Sequence, residues 1–284
     1  KFFIETMSQV QKLSSEELIE IEIKISSIAY KLMKGIWEAD FISPIEQGLT
    51  KGKDFKVLDL GCGSSGTLLL QLSKDYPLAK FIGLDKSPVL PEGFTQDNLQ
   101  FIQCDILKGI PFEDDSFDFI YVGFLLIEFS EEQWEDHIIK ELIRVCKPGG
   151  WIEIVDVDEV KSLGPTSKRL ITLFLDHLET KGISLMNDDD VPETLSSNNQ
   201  ICKVHADERL VPIGNWGGDL GKLALEWFIL VFQRLSESAT PSTQSGISKK
   251  EYETMVKQFV KDVEHYHSYF ISLRACCQKK ILPI

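Results

Sequence analysis

The sequence predicts an α/β fold built on a doubly wound, mostly parallel sheet. Five short apolar segments, at residues 57–60, 80–85, 99–105, 116–122 and 151–156, read as strands, and helical segments lie between them. Parallel strands need a helix-length crossover, so this alternation favours a parallel sheet. The second observation is a glycine-rich turn directly after the first of these strands.

That turn lies in residues 57–66, VLDLGCGSSG, and runs into the helix-like TLLLQLSK. An apolar strand that enters a glycine-rich loop and a helix is typical of a nucleotide-like cofactor site. Glycine lets the backbone approach the ligand, and the helix start offers unpaired N–H groups. Asp85 follows at about the distance, roughly 20 residues, at which a carboxylate binds ribose hydroxyls in such sites. The alternative is an ordinary turn, with Asp85 ending its strand or capping the turn at Ser87.

The helices carry their own start signals. Capping boxes are predicted at Ser14 with Glu17 and at Ser130 with Gln133, and Ser248 is predicted to cap a helix together with Glu251. An apolar stripe over residues 18–32 predicts an amphipathic N-terminal helix. Residues 201–212 read as a sixth strand and 266–276 as the last. The acid-rich segment 187–199 is predicted to be mobile, and 236–246 to be a flexible loop.

Taken together, five segments resemble a class I S-adenosylmethionine (SAM) methyltransferase over residues 55–158: VLDLGCG, FIGLD, FIQCDI, GIPFEDDSFDFIYV and LIRVCKPGGWIEIVD. The phrases FIGLDKSPVLPEGF, EEQWEDHIIKELIRVCKPGGW and VPIGNWGGDLGKLALEW are also similar to the fungal branch that contains LaeA-like methyltransferases. The resemblance implies a seven-stranded Rossmann-like sheet with an antiparallel last strand and a helical lid insertion. It implies SAM as cofactor and S-adenosylhomocysteine as product.

This resemblance divides the chain into an N-terminal helical cap (1–50), a SAM-binding core (51–213), a helical lid (214–264) and a last strand with the C-terminus (265–284). It also implies a set of cofactor contacts. Asp59 contacts the loop or the methionine amino group, Gly61 and Gly63 are the first loop glycines, Asp85 binds both ribose hydroxyls, Asp105 and Ile106 lie beside the adenine, and Val122, Gly123 and Phe124 face the methionine and its methyl group. Cys62 and Lys86 complete the set.

Two departures from the family pattern affect this site. Ser65 stands where the family has a third glycine, and a side chain is strained where the backbone requires a positive φ. The segment after the fourth strand, YVGFLLIEF, is apolar where LaeA-like relatives often have a polar or basic residue. The first departure bears on cofactor binding and the second on conventional catalysis.

Composition restricts the partners. Thirty basic and 44 acidic residues give a formal charge of −14, which disfavours nucleic acid as a substrate. The six cysteines lack metal-site spacing, so no metal is expected. Their scattered positions indicate a reducing compartment, which would be the cytoplasm or the nucleus. No signal peptide or membrane-length apolar run is seen. The chain begins at Lys1 rather than Met, which indicates that it is trimmed.

The leading hypothesis is methyl transfer from SAM to a small molecule, at O or N rather than C. The alternatives are a LaeA-like regulator of secondary metabolism that acts through protein partners, and a non-catalytic pseudoenzyme. The lid and the N-terminal helix are expected to form the acceptor pocket, with Trp216 or Trp227 facing Gly123 and Phe124. No catalytic residue is assigned. The candidate bases are His137, His177, His205, His265, His267, Asp156, Asp158 and Glu159.

Overall fold

A computed structural model describes residues 13–87, 95–183, 190–238 and 247–281. Seven strands form one sheet in the order β3-β2-β1-β4-β5-β7-β6. Their bounds are β1 Lys56–Leu60, β2 Lys80–Asp85, β3 Leu99–Gln103, β4 Phe117–Gly123, β5 Cys146–Lys161, β6 Ile201–Pro212 and β7 Tyr269–Lys279. β1 pairs in parallel with β2 and β4, β2 with β3, and β4 with β5. The predicted doubly wound, mostly parallel sheet is confirmed.

The last strand in the sequence, β7, lies between β5 and β6. Two backbone hydrogen bonds fix its direction against β6. The N–H of Lys280 donates to Gln200 O, and the N–H of Ile213 donates to Ser268 O, both at 2.8 Å. The start of each strand thus lies beside the end of the other. β7 is therefore antiparallel to β6, as the sequence predicted, although it begins three positions later than expected.

Nine α-helices lie in the described part of the chain: α1 Ser15–Trp37, α2 Glu46–Lys51, α3 Thr67–Asp75, α4 Glu131–Gln133, α5 Ile139–Val145, α6 Pro165–Thr180, α7 Asp190–Ser197, α8 Gly218–Ser238 and α9 Lys249–His265. A π-turn, Trp134–Ile138, joins α4 to α5. The predicted capping boxes at Ser14 and Ser130 and the cap at Ser248 are confirmed.

The acid-rich segment 187–199 differs from its prediction as a mobile stretch. From Asp190 to Ser197 it forms α7, because Val191 and Leu195 lie on one helical face and are both buried in the core. Burial of these two side chains outweighs the polar composition of the segment. Its first residues, and residues 239–246 of the predicted flexible loop, lie outside the described residues.

The chain divides into two compact units. We call the first the helical unit; it comprises Lys1–Ile36, Glu159–Gly182 and Leu210–Ile271. The second, the sheet unit, comprises Trp37–Asp158, Ile183–Arg209 and Ser272–Ile284. Every residue of the predicted cofactor set lies in the sheet unit. The four-region division and the lid role of residues 214–264 stay predictions.

In the helical unit, the apolar faces of α8 and α9 pack on each other. The ring centroids of Phe228 and Phe259 lie 6.0 Å apart, those of Phe232 and Phe259 lie 5.2 Å apart, and Phe270 lies 5.8 Å from Phe228. The hydroxyl of Tyr252 donates to Phe232 O at 3.2 Å. Most of the apolar stripes that the sequence singled out thus have a packing role.

The VPIGNWGG motif also has a structural role in this unit. The carboxylate of Glu264 on α9 accepts hydrogen bonds from the backbone N–H groups of Asn215 and Trp216, at 2.5 and 3.2 Å. The indole N–H of Trp216 donates to Ile213 O at 2.9 Å. These bonds hold the turn that starts α8.

The two faces of the parallel strands differ in chemistry. Leu58, Ile120 and Ile154 on one face pack in the core with Trp134 and Leu142. On the other face the register places Asp59, Tyr121 and Glu153 side by side on β1, β4 and β5. We call these three residues the polar row.

The polar row ends in a buried ion pair between β5 and β7. Arg274 Nε lies 2.7 Å from Glu153 Oε1, and the two side chains are 1% and 0% exposed. Glu153 also accepts hydrogen bonds from the N–H groups of Ile42 and Ser43, and Arg274 donates to Ala39 O. The pair therefore ties segment 39–43 to the sheet.

We expect Arg274→Met to lower the free energy of unfolding by about 3–5 kcal/mol, because the Glu153 charge stays buried without its cation. Lys80→Met is the control. Its partner Asp54 is exposed, at 85% of its side chain, so the loss there is below about 1 kcal/mol. Urea unfolding of both variants measures the difference, and losses of equal size would contradict the prediction.

Candidate cofactor site

The glycine-rich loop after β1 has the backbone shape that the sequence predicted. Gly61 and Gly63 have positive φ angles of 74° and 69°. The N–H groups of Gly61 and Cys62 both donate to Leu84 O, at 2.8 and 3.1 Å. A Cβ atom on Gly61 would overlap Leu125 Cδ1. A side chain at Gly61 is thus excluded both by its left-handed backbone and by lack of space.

The expected strain at Ser65 is wrong. The left-handed residue is Gly66, with φ 54° and ψ 24°, one place after the family's third glycine position. Ser65 is not among the residues with positive φ, and its Oγ accepts a hydrogen bond from Thr67 Oγ1 at 2.7 Å. The third glycine, Gly66, therefore stands at the position where the backbone is left-handed.

Asp85 at the end of β2 anchors the loop. Its Oδ2 accepts from the N–H of Gly63 at 2.9 Å, and its Oδ1 accepts from the N–H of Ser87 at 2.8 Å. The alternative role, a cap on the turn at Ser87, is thus present. Both oxygens of an ionised carboxylate are hydrogen-bond acceptors, the chemistry that a ribose hydroxyl requires. Next to it, the carbonyl of Lys86 accepts from the side-chain amide of Gln103 at 3.0 Å.

The end of β3 lies beside Asp85. The N–H of Cys104 donates to Asp85 O at 2.8 Å. Asp105 then caps a 3₁₀ turn, Ile106–Lys108, by accepting from the N–H of Leu107 at 3.3 Å. This cap ends the strand at Gln103, two residues earlier than predicted. Asp105 and Ile106 are therefore held at the same sheet edge as the glycine loop.

Asp59 is the most unusual group of the site. Its side chain is buried, with the residue 3% exposed, and no hydrogen bond lowers the pKa of its carboxyl. Burial, and then the nearby charge of Asp85, raise the pKa of Asp59 to about 8. Burial also raises the pKa of the Cys62 thiol, which stays protonated and is therefore no nucleophile.

After β4 the chain turns sharply past the loop. Phe124 has a φ of 56°, an uncommon value for a non-glycine residue, and its N–H donates to Val155 O at 3.0 Å. Val122 points into the core, so only its backbone can reach a ligand. A Cβ atom on Gly123 would lie 3.0 Å from Tyr121 Cε1.

Asp156, a candidate base, holds this turn. Its Oδ2 accepts from the N–H of Leu126 at 2.9 Å. Burial raises the pKa of Asp156 to about 7, although its backbone hydrogen bonds act in the opposite direction. The sequence proposed that Asp156 faces a pocket. In the structure its carboxyl is bonded to backbone, which is a positioning role.

The histidine candidates are dispersed. Nε2 of His137 lies 3.1 Å from Ile106 O, and His205, His265 and His267 are exposed. His177 Nε2 is buried and has no hydrogen-bond partner in the described part of the chain, and burial lowers the pKa of its ring. The structure singles out none of them as a base.

Comparison with known proteins identifies the segment that carries this loop. Residues 57–150 match the family model described as a methyltransferase domain. They contain the glycine loop, Asp85 and Asp105, on strands in the order 3-2-1-4-5. This segment is therefore similar to a methyltransferase domain, in agreement with its resemblance to the class I SAM-dependent enzymes. SAM is the cofactor of this class of domain.

Relatives of the methyltransferase domain include a protein of similar extent. The chain is 23% identical over 242 residues to Methyltransferase str2 of Strobilurus tenacellus, covering 82% of this chain and 85% of that protein. It is 31% identical over 115 residues to a demethylmenaquinone methyltransferase of Bacillus cereus (strain AH187), covering 38% of this chain and 47% of the relative. The LaeA-like branch stays a prediction.

Solved structures show the same fold. The phosphoethanolamine N-methyltransferase 2 of Haemonchus contortus, with phosphomonomethylethanolamine and S-adenosylhomocysteine bound, has a TM-score of 0.50 and 16% identity over 90% of this chain and 58% of that chain. The [4+2]-cyclase SpnF also has a TM-score of 0.50, with 15% identity over 94% of this chain and 97% of that one. The fold therefore leaves the reaction open.

Two features are absent from the described residues. None of their helices combines the length and the apolar character that a membrane span requires. Nor do three or more of their His, Cys, Asp or Glu side chains gather where they could hold a metal ion.

We expect Asp59→Asn to change the pH dependence of stability. The folded pKa of about 8 lies above the usual value of 3.8, so the stability that Asp59 contributes is fully present below pH 3.8 and is lost as the pH rises from there to about 8. The stability of the variant relative to the parent protein should therefore rise by about 2–3 kcal/mol between pH 6 and pH 9. Urea unfolding at both pH values measures this. A difference that does not grow with pH would contradict it.

A second expectation concerns the loop. Gly66→Ala should destabilise the protein by about 1 kcal/mol, because alanine is strained in the left-handed region. Ser65→Gly should bind S-adenosylhomocysteine within about twofold of the parent protein, since no left-handed backbone is imposed on the serine. Thermal unfolding and calorimetric titration test the pair. If Ser65→Gly weakens binding strongly, the serine is itself a cofactor contact.

Proposed function

We propose that this chain binds SAM through the predicted residue set and transfers its methyl group to a small-molecule acceptor, at O or N rather than C. The observation that carries the proposal is the buried Asp59 carboxyl at the glycine loop, whose pKa is raised by burial and by the charge of Asp85 with no hydrogen bond acting in the opposite direction. A buried acid without a partner is costly, and a cationic group of a ligand would relieve that cost. SAM carries such a group in its methionine ammonium.

The residues present fit this cofactor. The left-handed backbone at Gly61 and Gly63 lets the loop approach a ligand closely, and the Asp85 carboxylate lies beside that loop as the proposed acceptor for ribose hydroxyls. Asp105 and Ile106 would lie at the adenine, and the backbone at Gly123 and Phe124 beside the methionine. Cys62 and Lys86 continue this lining on either side.

When bound, SAM supplies an activated methyl group on a sulfonium. The protein must then align the acceptor, exclude water and, for an O or N acceptor, provide a route for the released proton. The turn at Phe124 and Leu126, held by Asp156, gives one rigid wall beside the cofactor residues. No side chain is assigned as the base.

Two observations support a small-molecule acceptor. The chain's net charge of −14 disfavours polyanionic acceptors such as nucleic acid. The demethylmenaquinone methyltransferase and the structure with phosphomonomethylethanolamine bound both carry small molecules in their names. The strain expected at Ser65 was an argument for the pseudoenzyme alternative, and that strain is absent. A LaeA-like regulator would bind SAM as well and differs in what receives the methyl group.

We expect methyl-labelled SAM, incubated with the protein and a small-molecule extract, to lose label to a small molecule. Asp85→Ala should bind SAM about 10- to 100-fold more weakly, because buried hydroxyls and the Gly63 N–H lose their acceptor. Asp136→Ala, which removes an exposed carboxylate bonded to Lys140, is the matched control and should behave like the parent protein. Label in protein alone would favour the regulator, and SAM binding without any transfer would favour the pseudoenzyme.

A further inference from the structure

Tyr121, at the centre of the polar row, is absent from the predicted residue set. It lies on β4, two residues before Gly123, and its register partners are Asp59 on β1 and Glu153 on β5. Its hydroxyl would lie 3.5 Å from a Cβ atom on Gly123, so it reaches the end of the strand. Within the described residues this hydroxyl has no hydrogen-bond partner.

The charges around Tyr121 are not equally available. Glu153 is satisfied by Arg274, Ile42 and Ser43. Arg274 in turn donates to Glu153 and to the carbonyls of Ala39 and Asp40, the latter at 2.5 Å. The Arg274 guanidinium is therefore engaged by these partners rather than presented to a ligand anion.

Asp59 and Tyr121 are the two members of the row that keep open bonding capacity. Burial raises the pKa of the Tyr121 hydroxyl; Arg274 acts against this, and Asp59, Glu153 and Asp40 act with it. The phenol is thus neutral, and its oxygen can accept a hydrogen bond. Because Glu153 is paired with Arg274, Asp59 is the carboxyl of the row that favours a cationic donor as the guest.

We propose that Tyr121 is a binding residue of the cofactor's amino-acid end, where its hydroxyl oxygen accepts a hydrogen bond from the ammonium that Asp59 attracts. This inference rests on the proposed function in one respect, that SAM is the ligand. It adds a residue that no glycine-loop pattern contains. It also assigns a polar role to Tyr121, the first residue of the segment YVGFLLIEF that was interpreted as apolar from the sequence.

The test compares two probes by calorimetric titration. S-adenosylhomocysteine has the ammonium, and 5′-methylthioadenosine has the same adenosine and thioether without the amino-acid end. Tyr121→Phe should bind S-adenosylhomocysteine about 10-fold more weakly, the loss expected for one hydrogen bond to a charged group. Its affinity for 5′-methylthioadenosine should be unchanged, which also shows that the variant is folded.

Tyr76→Phe is the control. The Tyr76 hydroxyl donates to Glu46 at 3.1 Å, at an exposed site, so its removal should change neither affinity. If Tyr121→Phe binds S-adenosylhomocysteine as tightly as the parent protein, or loses affinity for both probes equally, the inference is overturned while the proposed function stands. If the parent protein binds neither probe, both are overturned.

Discussion

The ion pair of Glu153 and Arg274 is the constraint on which the sheet unit depends. Neither charge could remain alone in an apolar interior, because each would lose its hydration without compensation. Together they connect two strands that are far apart in the sequence and hold segment 39–43 against them. The pair is also fully satisfied by these contacts, so it leaves the neighbouring polar groups, rather than itself, to interact with a ligand.

In the candidate site, too, single carboxylates hold separate backbone segments together. One carboxylate, that of Asp85, joins the end of β2 to the loop at Gly63 and to the turn at Ser87. Asp156 does the same for the turn after β4. Acids that fix backbone N–H groups before a ligand arrives reduce the ordering that binding must supply. The site is thus shaped by bonds within the protein.

Local patterns in the sequence predicted much of this arrangement. The glycine loop, the strand that ends at Asp85 and the three helix caps depend on residues close together in the chain, and they were found. The glycine pattern misplaced the left-handed residue by one, at Ser65 instead of Gly66, since no pattern reports φ. Features that need pairing across strands were missed. The charges within WIEIVD and ISLRACC were the available signal for the buried pair, but only the sheet order shows that they meet.

The order of the sheet has a consequence for how the chain is made. Of the seven strands of this sheet β7 is made last, yet it lies between β5 and β6. Until β7 is synthesised, β6 has no neighbouring strand in the sheet and Glu153 lacks its partner Arg274. Nascent chains would therefore expose an open β5 edge, a surface that invites pairing with other chains. Closure of the sheet therefore depends on the eleven residues of β7, which complete it only after the other six strands have been made.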